Sequence, residues 1–336
     1  MSDNPLPDAK PITRYAPDMP LPTAAAPALS IVVVAYAMPE QLDRTLHSLS
    51  LDYQRGVAAQ DYEVIVVENA SAENLGEPRA TSHTGDFRYY QRQETAPTPI
   101  HAINFGVAQA KYGHVCIMID GARMVTPGLV AWTRAALSMH SRAVVSVPGY
   151  HLGEELQQVA VDKGYNEAAE AALLEHIHWP KDGYRLFEIS CAAGTSAGGY
   201  FKPIGESNCI AMSRALFDEL GGYDTQFQER GGGLVNLDFY KRSLEAADTQ
   251  LYLLPGEGSF HQFHGGETTG GAAEVREQAL HAMQAEYVAL RGERYSPPEQ
   301  RAVFLGAIPD SALWVVRRAA ETFQRVNPSA HQSEAD

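Results

Sequence analysis

Three groups of residues in this sequence are of the types and spacings that do chemistry. The stretch VCIMIDGARM, Val115 to Met124, runs an apolar segment up to one carboxylate, Asp120, and follows it with Gly-Ala-Arg. A buried strand that stops at an acid delivers it to the rim of a sheet, where ligands bind. The plain alternative is a turn aspartate that satisfies its own backbone. His261 and His264 stand three apart in HQFH, ahead of Gly265-Gly266. Carboxylate oxygens suit hard divalent cations, and Mn2+ also accepts imidazole. The third group is Gly231-Gly232-Gly233 with Glu229 before it and Asp238 and Arg242 after it. A carboxylate there suits a general base, but Asp238 and Arg242 are also spaced to pair along one helix face.

These groups need a scaffold, and the patterning supplies one. Ile31-Val32-Val33-Val34 and Val64-Ile65-Val66-Val67 are β-branched runs suited to strands buried on both faces. Leu42, Leu46 and Leu49 lie between them at helical spacing. Strand, helix and strand at that distance make a βαβ unit with parallel strands. Phe87 to Tyr90 continues as a third strand, Ile100, Ile103, Val107 and Ala110 as a helix, and Val115 to Ile119 as the strand that ends at Asp120. The expected fold class is α/β with a doubly wound sheet. Further on, the pattern predicts helices over 129–139, 167–174, 213–220, 272–291 and 309–325, and strands over 144–147 and 251–254. CAAGTSAGGYFKPIGESN, Cys191 to Asn208, has no periodicity and reads as a long loop. Trp314, Val315 and Arg317-Arg318 suit either a membrane surface or a core-packed helix.

Whole-chain properties narrow the function classes. The 336 residues carry 41 acidic against 26 basic side chains, a formal charge of −15, which excludes a broad nucleic-acid surface. Three scattered cysteines, Cys116, Cys191 and Cys209, fit neither a disulfide framework nor a cysteine metal site. A reducing cytoplasm is the expected compartment. Neither a spanning apolar run nor a signal-peptide pattern occurs. No G-x-G-x-x-G follows the first strand and no G-x-x-x-x-G-K-[ST] occurs, so dinucleotide and P-loop chemistry lose ground.

Five stretches, in order, resemble a family 2 glycosyltransferase of the GT-A fold: LSIVVVAYAMPEQLDRTLHSL, YEVIVVENAS, HAINFGVAQAKYGHVCIMIDGARM, SNCIAMSRALFDELGGYDTQF, and GGGLVNLDFYKR with the later HQFHGG. The resemblance covers roughly residues 29 to 266. It implies a mixed, mostly parallel sheet flanked by helices. The expected organisation is a Pro/Ala-rich extension over 1–28, the transferase domain over 29–270 and a C-terminal helical extension over 271–336. Within the domain, 29–125 would be the nucleotide-binding half and 126–270 the acceptor half.

The resemblance also assigns roles. Ala35 and Tyr36 would line the nucleoside pocket, Glu68 would accept from the base with Asn69 beside it, and Asn104 would help hold the nucleotide. Asp120 takes the first place of a metal-binding D-x-D, but Ala122 stands where the second acid belongs. Two accounts follow: Mn2+ or Mg2+ held by Asp120 with His264 or His261, or no metal and Arg123 neutralising phosphate. The family's acidic motif aligns its usual base with Asn236, leaving Asp238 first and Glu229 second as base. Asn236, Gly232, Gly233 and Asn208 would meet the sugar or acceptor. The implied activity is inverting transfer from a nucleotide-diphosphate sugar, UDP-sugar by default, to a glycan or glycolipid acceptor. Polysaccharide biosynthesis in the cytoplasm, with at most peripheral contact at the inner face of the membrane, is the implied setting. The competing reading is a non-catalytic nucleotide-sugar-binding or scaffold subunit of a glycan assembly complex, favoured by Ala122 and Asn236.

Overall fold

The computed structural model describes residues 19–22, 25–94, 96–205, 208–264 and 273–326. Most of the expected extension over 1–28, and the pair Gly265-Gly266, lie outside them. The first elements are β1 (Leu29–Tyr36), α1 (Pro39–Ser48), β2 (Tyr62–Asn69), α2 (Glu77–Ala80), β3 (Phe87–Arg92), α3 (Ile100–Ala108) and β4 (His114–Met118). The central part adds β5 (Arg123–Val125), α4 (Leu129–Met139), β6 (Ala143–Ser146), β7 (Gly149–Leu152), α5 (Gln157–Ala160), α6 (Glu167–Ile177) and β8 (Ser190–Ala192). The last part holds β9 (Cys209–Ser213), α7 (Arg214–Glu219), α8 (Val235–Glu245), β10 (Gln250–Leu253), β11 (Ser259–His261), α9 (Ala273–Arg291), β12 (Val303–Phe304) and α10 (Leu313–Val326).

The main sheet runs β12-β10-β6-β9-β4-β1-β2-β3. Only β9 is antiparallel to its neighbours β4 and β6; the other pairings are parallel. This is the mixed, mostly parallel sheet flanked by helices that the resemblance implies. Ile31 and Val33 point into one apolar layer, Val32 and Val34 into the other, so the whole run is withdrawn from water. That two-sided burial explains why the run shows no polar alternation.

A second sheet, β5-β11-β7-β8, was not expected from the patterning. Its strands have three or four residues, too few to show a period. The reading of Cys191 to Asn208 as loop is corrected at its start, where Cys191 and Ala192 belong to β8. This small sheet fixes the site. His261 pairs with Arg123 on β5 and with His151 on β7, which lines up three basic side chains across adjacent strands. The Gly121 turn joins β4 to β5 and lies so close on Ala35 that an added Cβ would come within 2.7 Å of its side chain.

The C-terminal helices pack onto the body. Met283 and Tyr287 of α9 enter the layer beneath α3 and α8, and Val315 and Ala319 of α10 enter a third cluster with Tyr150 and Phe260. Trp314 donates its indole N–H to the Phe187 carbonyl at 3.0 Å, so of the two readings offered for this segment the core-packed one describes it. Among the described residues no helix is long and apolar enough to cross a membrane.

Candidate functional site

Asp120, His261 and His264 converge although some 140 residues separate them in the chain. Asp120 Oδ1 accepts from the Ala122 backbone N–H at 3.0 Å, which turns Oδ2 toward the histidines. Oδ2 lies 3.0 Å from His261 Nε2 and 3.6 Å from His264 Nε2, and the two nitrogens are 3.0 Å apart. Donors at roughly 2.1 Å from a shared ion sit about 3.0–3.4 Å from one another, so this set fits a single divalent cation. Burial opposes ionisation of Asp120, but His264 and His261 outweigh it and hold the carboxyl well below its usual range. Burial pushes His261 down to about 4 against the pull of Asp120. His264 moves the other way: burial lowers it, and the Asp120 charge more than restores it.

Other elements clamp these ligands. The HQFH turn is held by α6, where Glu170 accepts from the Phe263 N–H at 2.8 Å, and by α1, where Gln41 donates to the Phe263 carbonyl at 2.8 Å. Gln262 donates to the Gln41 carbonyl and to Thr45. Gln157 on α5 contacts His261 through both ends of its carboxamide. Arg123 lies beside the cluster with Nε 3.8 Å from Asp120 Oδ2, and its buried Nε and Nη1 have no hydrogen-bond partner. A buried guanidinium with free donors is costly, and such groups commonly await an anion.

The carboxyl rim of β1, β2 and β3 gives the nucleotide candidates different places. Tyr36, 57% exposed, stands in register with Asn69, which stands in register with Arg92. Ala37 follows with φ +52°, a strained conformation for a residue with a Cβ. Ala35 is buried under the Gly121 turn. Glu68 is fully buried and accepts from the backbone N–H groups of Leu75 and Gly76 and from the Tyr89 hydroxyl. Glu68, expected to meet the base, closes the loop behind the rim through these hydrogen bonds. Asn69 Oδ1, by contrast, is buried with no partner at that rim. Asn104, expected to help hold the nucleotide, clamps the Tyr223 backbone with its amide, donating to the carbonyl at 2.8 Å and accepting from the N–H at 3.0 Å.

The third group splits likewise. Asp238 is 1% exposed, with Oδ1 2.6 Å from Arg291 Nε and Oδ2 2.7 Å from Arg242 Nε. These two guanidiniums tie Asp238 between α8 and α9, the ion-pair alternative offered beside its reading as base. Glu229 is half-buried, and among the described residues its carboxylate has no hydrogen-bond or ion-pair partner. Its neighbour Glu286, from α9, accepts from the backbone N–H groups of Gln228 and Glu229. Gly231, Gly232 and Gly233 all take positive φ, and Gly231 donates to the Pro97 carbonyl, which ties the turn to the loop after β3. Asn236 is half-buried in the first turn of α8. Asn208 precedes Cys209, the partner of Met118, so it stands at the same end of the sheet as Asp120.

Residues 30–150 match the family model described as Glycosyl transferase family 2. That stretch is similar to glycosyl transferase family 2. No curated protein matches the chain in sequence. Among solved structures, mannosyltransferase PcManGT from Pyrobaculum calidifontis in complex with GDP-Man and Mn2+ aligns with a TM-score of 0.49 at 16% identity, covering 94% of this chain and 79% of that one. S. aureus TarS 1-349 in complex with UDP-GlcNAc aligns with a TM-score of 0.49 at 13% identity, covering 90% and 73%.

The glycosyl transferase family 2 match contains Asp120 and Arg123 and stops before the histidines and α8. It also frames the departure at Ala122, whose side chain is fully buried in the layer with Val125 and Leu129. An aspartate there would bury a charge among apolar groups. Gln157, Glu170 and His151 escaped the sequence reading. Each is an ordinary polar residue far from Asp120 in the chain, and only β7, α5 and α6 bring it near.

Proposed function

We propose that the protein transfers a sugar from a nucleotide-diphosphate donor to a hydroxyl acceptor with inversion at the anomeric carbon. The observation that carries the reading is the Asp120–His261–His264 cluster beside Arg123, whose buried Nε and Nη1 make no hydrogen bond. Asp120, His261 and His264 would hold the cation, Mn2+ or Mg2+, which when bound offsets charge on the departing diphosphate. One carboxylate, one guanidinium and a divalent ion sum to about two positive charges, which matches a diphosphate.

Arg123 orients the leaving diphosphate and neutralises it through its two free donors. Asn69 Oδ1 accepts the imide N–H of the base, and its amide N–H can meet the adjacent carbonyl, the edge uracil presents. Tyr36 covers the nucleoside from the solvent side. Glu229 takes the proton of the acceptor hydroxyl as its oxygen bonds to the anomeric carbon and the bond to the diphosphate breaks. Gly232, Gly233, Asn236 and Asn208 lie along the path of the acceptor sugar. A glycan or glycolipid acceptor in polysaccharide assembly, a cytoplasmic setting with peripheral membrane contact, and the division into a domain over 29–270 with a C-terminal extension complete the proposal.

A nucleotide panel tests it, because a ligand that binds the native state raises the midpoint of unfolding. UDP with Mn2+ is expected to raise Tm by several degrees, more than GDP or dTDP with Mn2+ and more than UDP alone. Release of UDP from the donor sugar, followed with and without acceptor, then separates an enzyme from a binding subunit. A shift with UDP but no release from any donor supports the scaffold reading that Ala122 and Asn236 suggest, and no shift with any nucleotide ends both.

A further inference from the structure

Gln157 is fully buried at the start of α5, and its carboxamide is committed to one residue. Nε2 donates to the His261 carbonyl at 3.0 Å, and Oε1 lies 2.6 Å from His261 Nδ1. A carbonyl oxygen only accepts, so it fixes which way round the amide lies. Oε1 then needs a donor, and the ring proton of His261 must sit on Nδ1. The Nε2 lone pair is left aimed at Asp120 Oδ2 and His264 Nε2, each 3.0 Å away. A lone pair facing a carboxylate at that distance is repelled unless a cation or a proton lies between them.

The backbone of Gln157 acts on a second imidazole. Its N–H donates to His151 Nδ1 at 3.2 Å, so His151 carries its proton on Nε2, the opposite tautomer. The two rings are neighbours, with centroids 5.3 Å apart. One residue therefore turns His261 into a lone-pair donor at the cluster and keeps the Nε2 lone pair of His151 out of it.

We infer that Gln157 is a positioning residue that makes this site take a divalent transition ion of the Mn2+ or Co2+ class in preference to Mg2+. The inference rests on the metal reading of Asp120, His261 and His264 given above. Mg2+ prefers oxygen donors and gives up its water reluctantly, whereas imidazole nitrogen suits the transition ions. Without the carboxamide, His261 is free to adopt the other tautomer, in which Nε2 carries a proton and cannot bind an ion. That loss falls on the ion that uses the nitrogen. An ion held mainly by the Asp120 oxygens and water hardly feels it.

The test compares ion affinities of the full-length protein. Bound Mn2+ is measured from the electron paramagnetic resonance signal of the free ion, and Mg2+ by competition. Wild type is expected to bind Mn2+ more tightly than Mg2+. In Gln157→Leu the Kd for Mn2+ rises about 10–100-fold while that for Mg2+ moves by less than about threefold, the size expected for losing a partner of a ligating histidine. Gln157→Met, similar in length and without hydrogen-bonding capacity, gives the same ratio and serves if the leucine variant does not fold. A purely structural role lowers both affinities together or neither, and either result overturns the inference while the metal reading survives. Wild-type protein that binds neither ion overturns the metal reading itself.

Discussion

Asp120, half-buried, and Asp238, buried, are made opposites by their neighbours. Asp120 stands at the end of β4 with one oxygen held by the Ala122 N–H and the other turned toward two imidazoles, one of which burial keeps neutral. Asp238 stands in the first turns of α8 with both oxygens engaged by Arg242 and Arg291. Guanidiniums are permanent cations, so the Asp238 site is complete as it folds. The Asp120 site needs a proton or a divalent ion to join its donors. The lesson is that a carboxylate gripped by two close guanidiniums is closed, whereas one that faces imidazoles with its guanidinium 3.8 Å away keeps a donor set fit for a cation.

Exchanging the two acids for amides is the most direct way to break this comparison. Asp120→Asn should reduce donor turnover at least about 1,000-fold, since offsetting the charge that develops on the leaving group supplies much of the rate in such reactions, while Tm changes little. Asp238→Asn should do the reverse. It leaves the Arg242 guanidinium without its counter-charge and Arg291 with Asp224 alone, a loss of about 3–5 kcal/mol, read as a fall in Tm of roughly 5–15 °C for a chain of this size. Turnover per folded molecule should stay within about tenfold, an energy near 1.4 kcal/mol. If Asp238→Asn abolishes turnover at unchanged Tm, the assignment of Asp238 to structure is wrong.

A smaller effect sharpens the contrast between cations with and without partners. Arg123→Met removes a buried guanidinium whose Nε and Nη1 satisfy nothing in the free protein. The KM for the donor should rise about 10–100-fold, the range of a lost charge-assisted pair of about 1.5–3 kcal/mol. Thermal stability without ligand should change little, because the loss of the 3.8 Å ion pair with Asp120 is set against the removal of two buried donors that make no hydrogen bond. A marked fall in Tm would show that Arg123 supports the fold.

The smallest effect uses Glu257, a buried acid hydrogen-bonded by the Thr126 and Tyr184 hydroxyls. Burial pushes its carboxyl up to about 7, against the stabilising hydrogen bonds from Thr126 and Tyr184. A folded-state value above the unfolded value means the folded chain holds the proton longer. The stability tied to that proton is fully present below about pH 4.5 and is lost as pH rises toward 7. Glu257→Gln should therefore match wild type near pH 4.5 and exceed it by a few degrees in Tm above pH 7.5. An equal difference at both pH values would show that Glu257 is not protonated by burial.

Much of the first half of the chain was legible in its residues. The β-branched runs of β1 and β2, the leucines of α1 and the acid after β4 each announce their place, because two-sided burial and helical spacing leave a local pattern. Ser213 as the cap of α7 was legible for the same reason, and its hydroxyl accepts from the Leu216 N–H. The short strands β5, β7, β8 and β11 were not, since three or four residues carry no period. Glu68, Asn104 and Asp238 were read as ligand residues because type and position allow it. What their sequence positions did not show is a partner far along the chain: the Tyr89 hydroxyl, the Tyr223 backbone and Arg291.

The sequence by itself determined that an apolar parallel sheet would carry Asp120 to a rim and that two imidazoles existed to meet it. Only the tertiary structure decided that they do meet, that Gln157 hydrogen-bonds one of them, and that Asp238 pairs with Arg242 and Arg291. The reason is range. Burial and helical periodicity act between near neighbours and leave their trace in the chain, whereas hydrogen bonds and ion pairs act over about 3 Å in space and leave none until the sheets bring distant strands together.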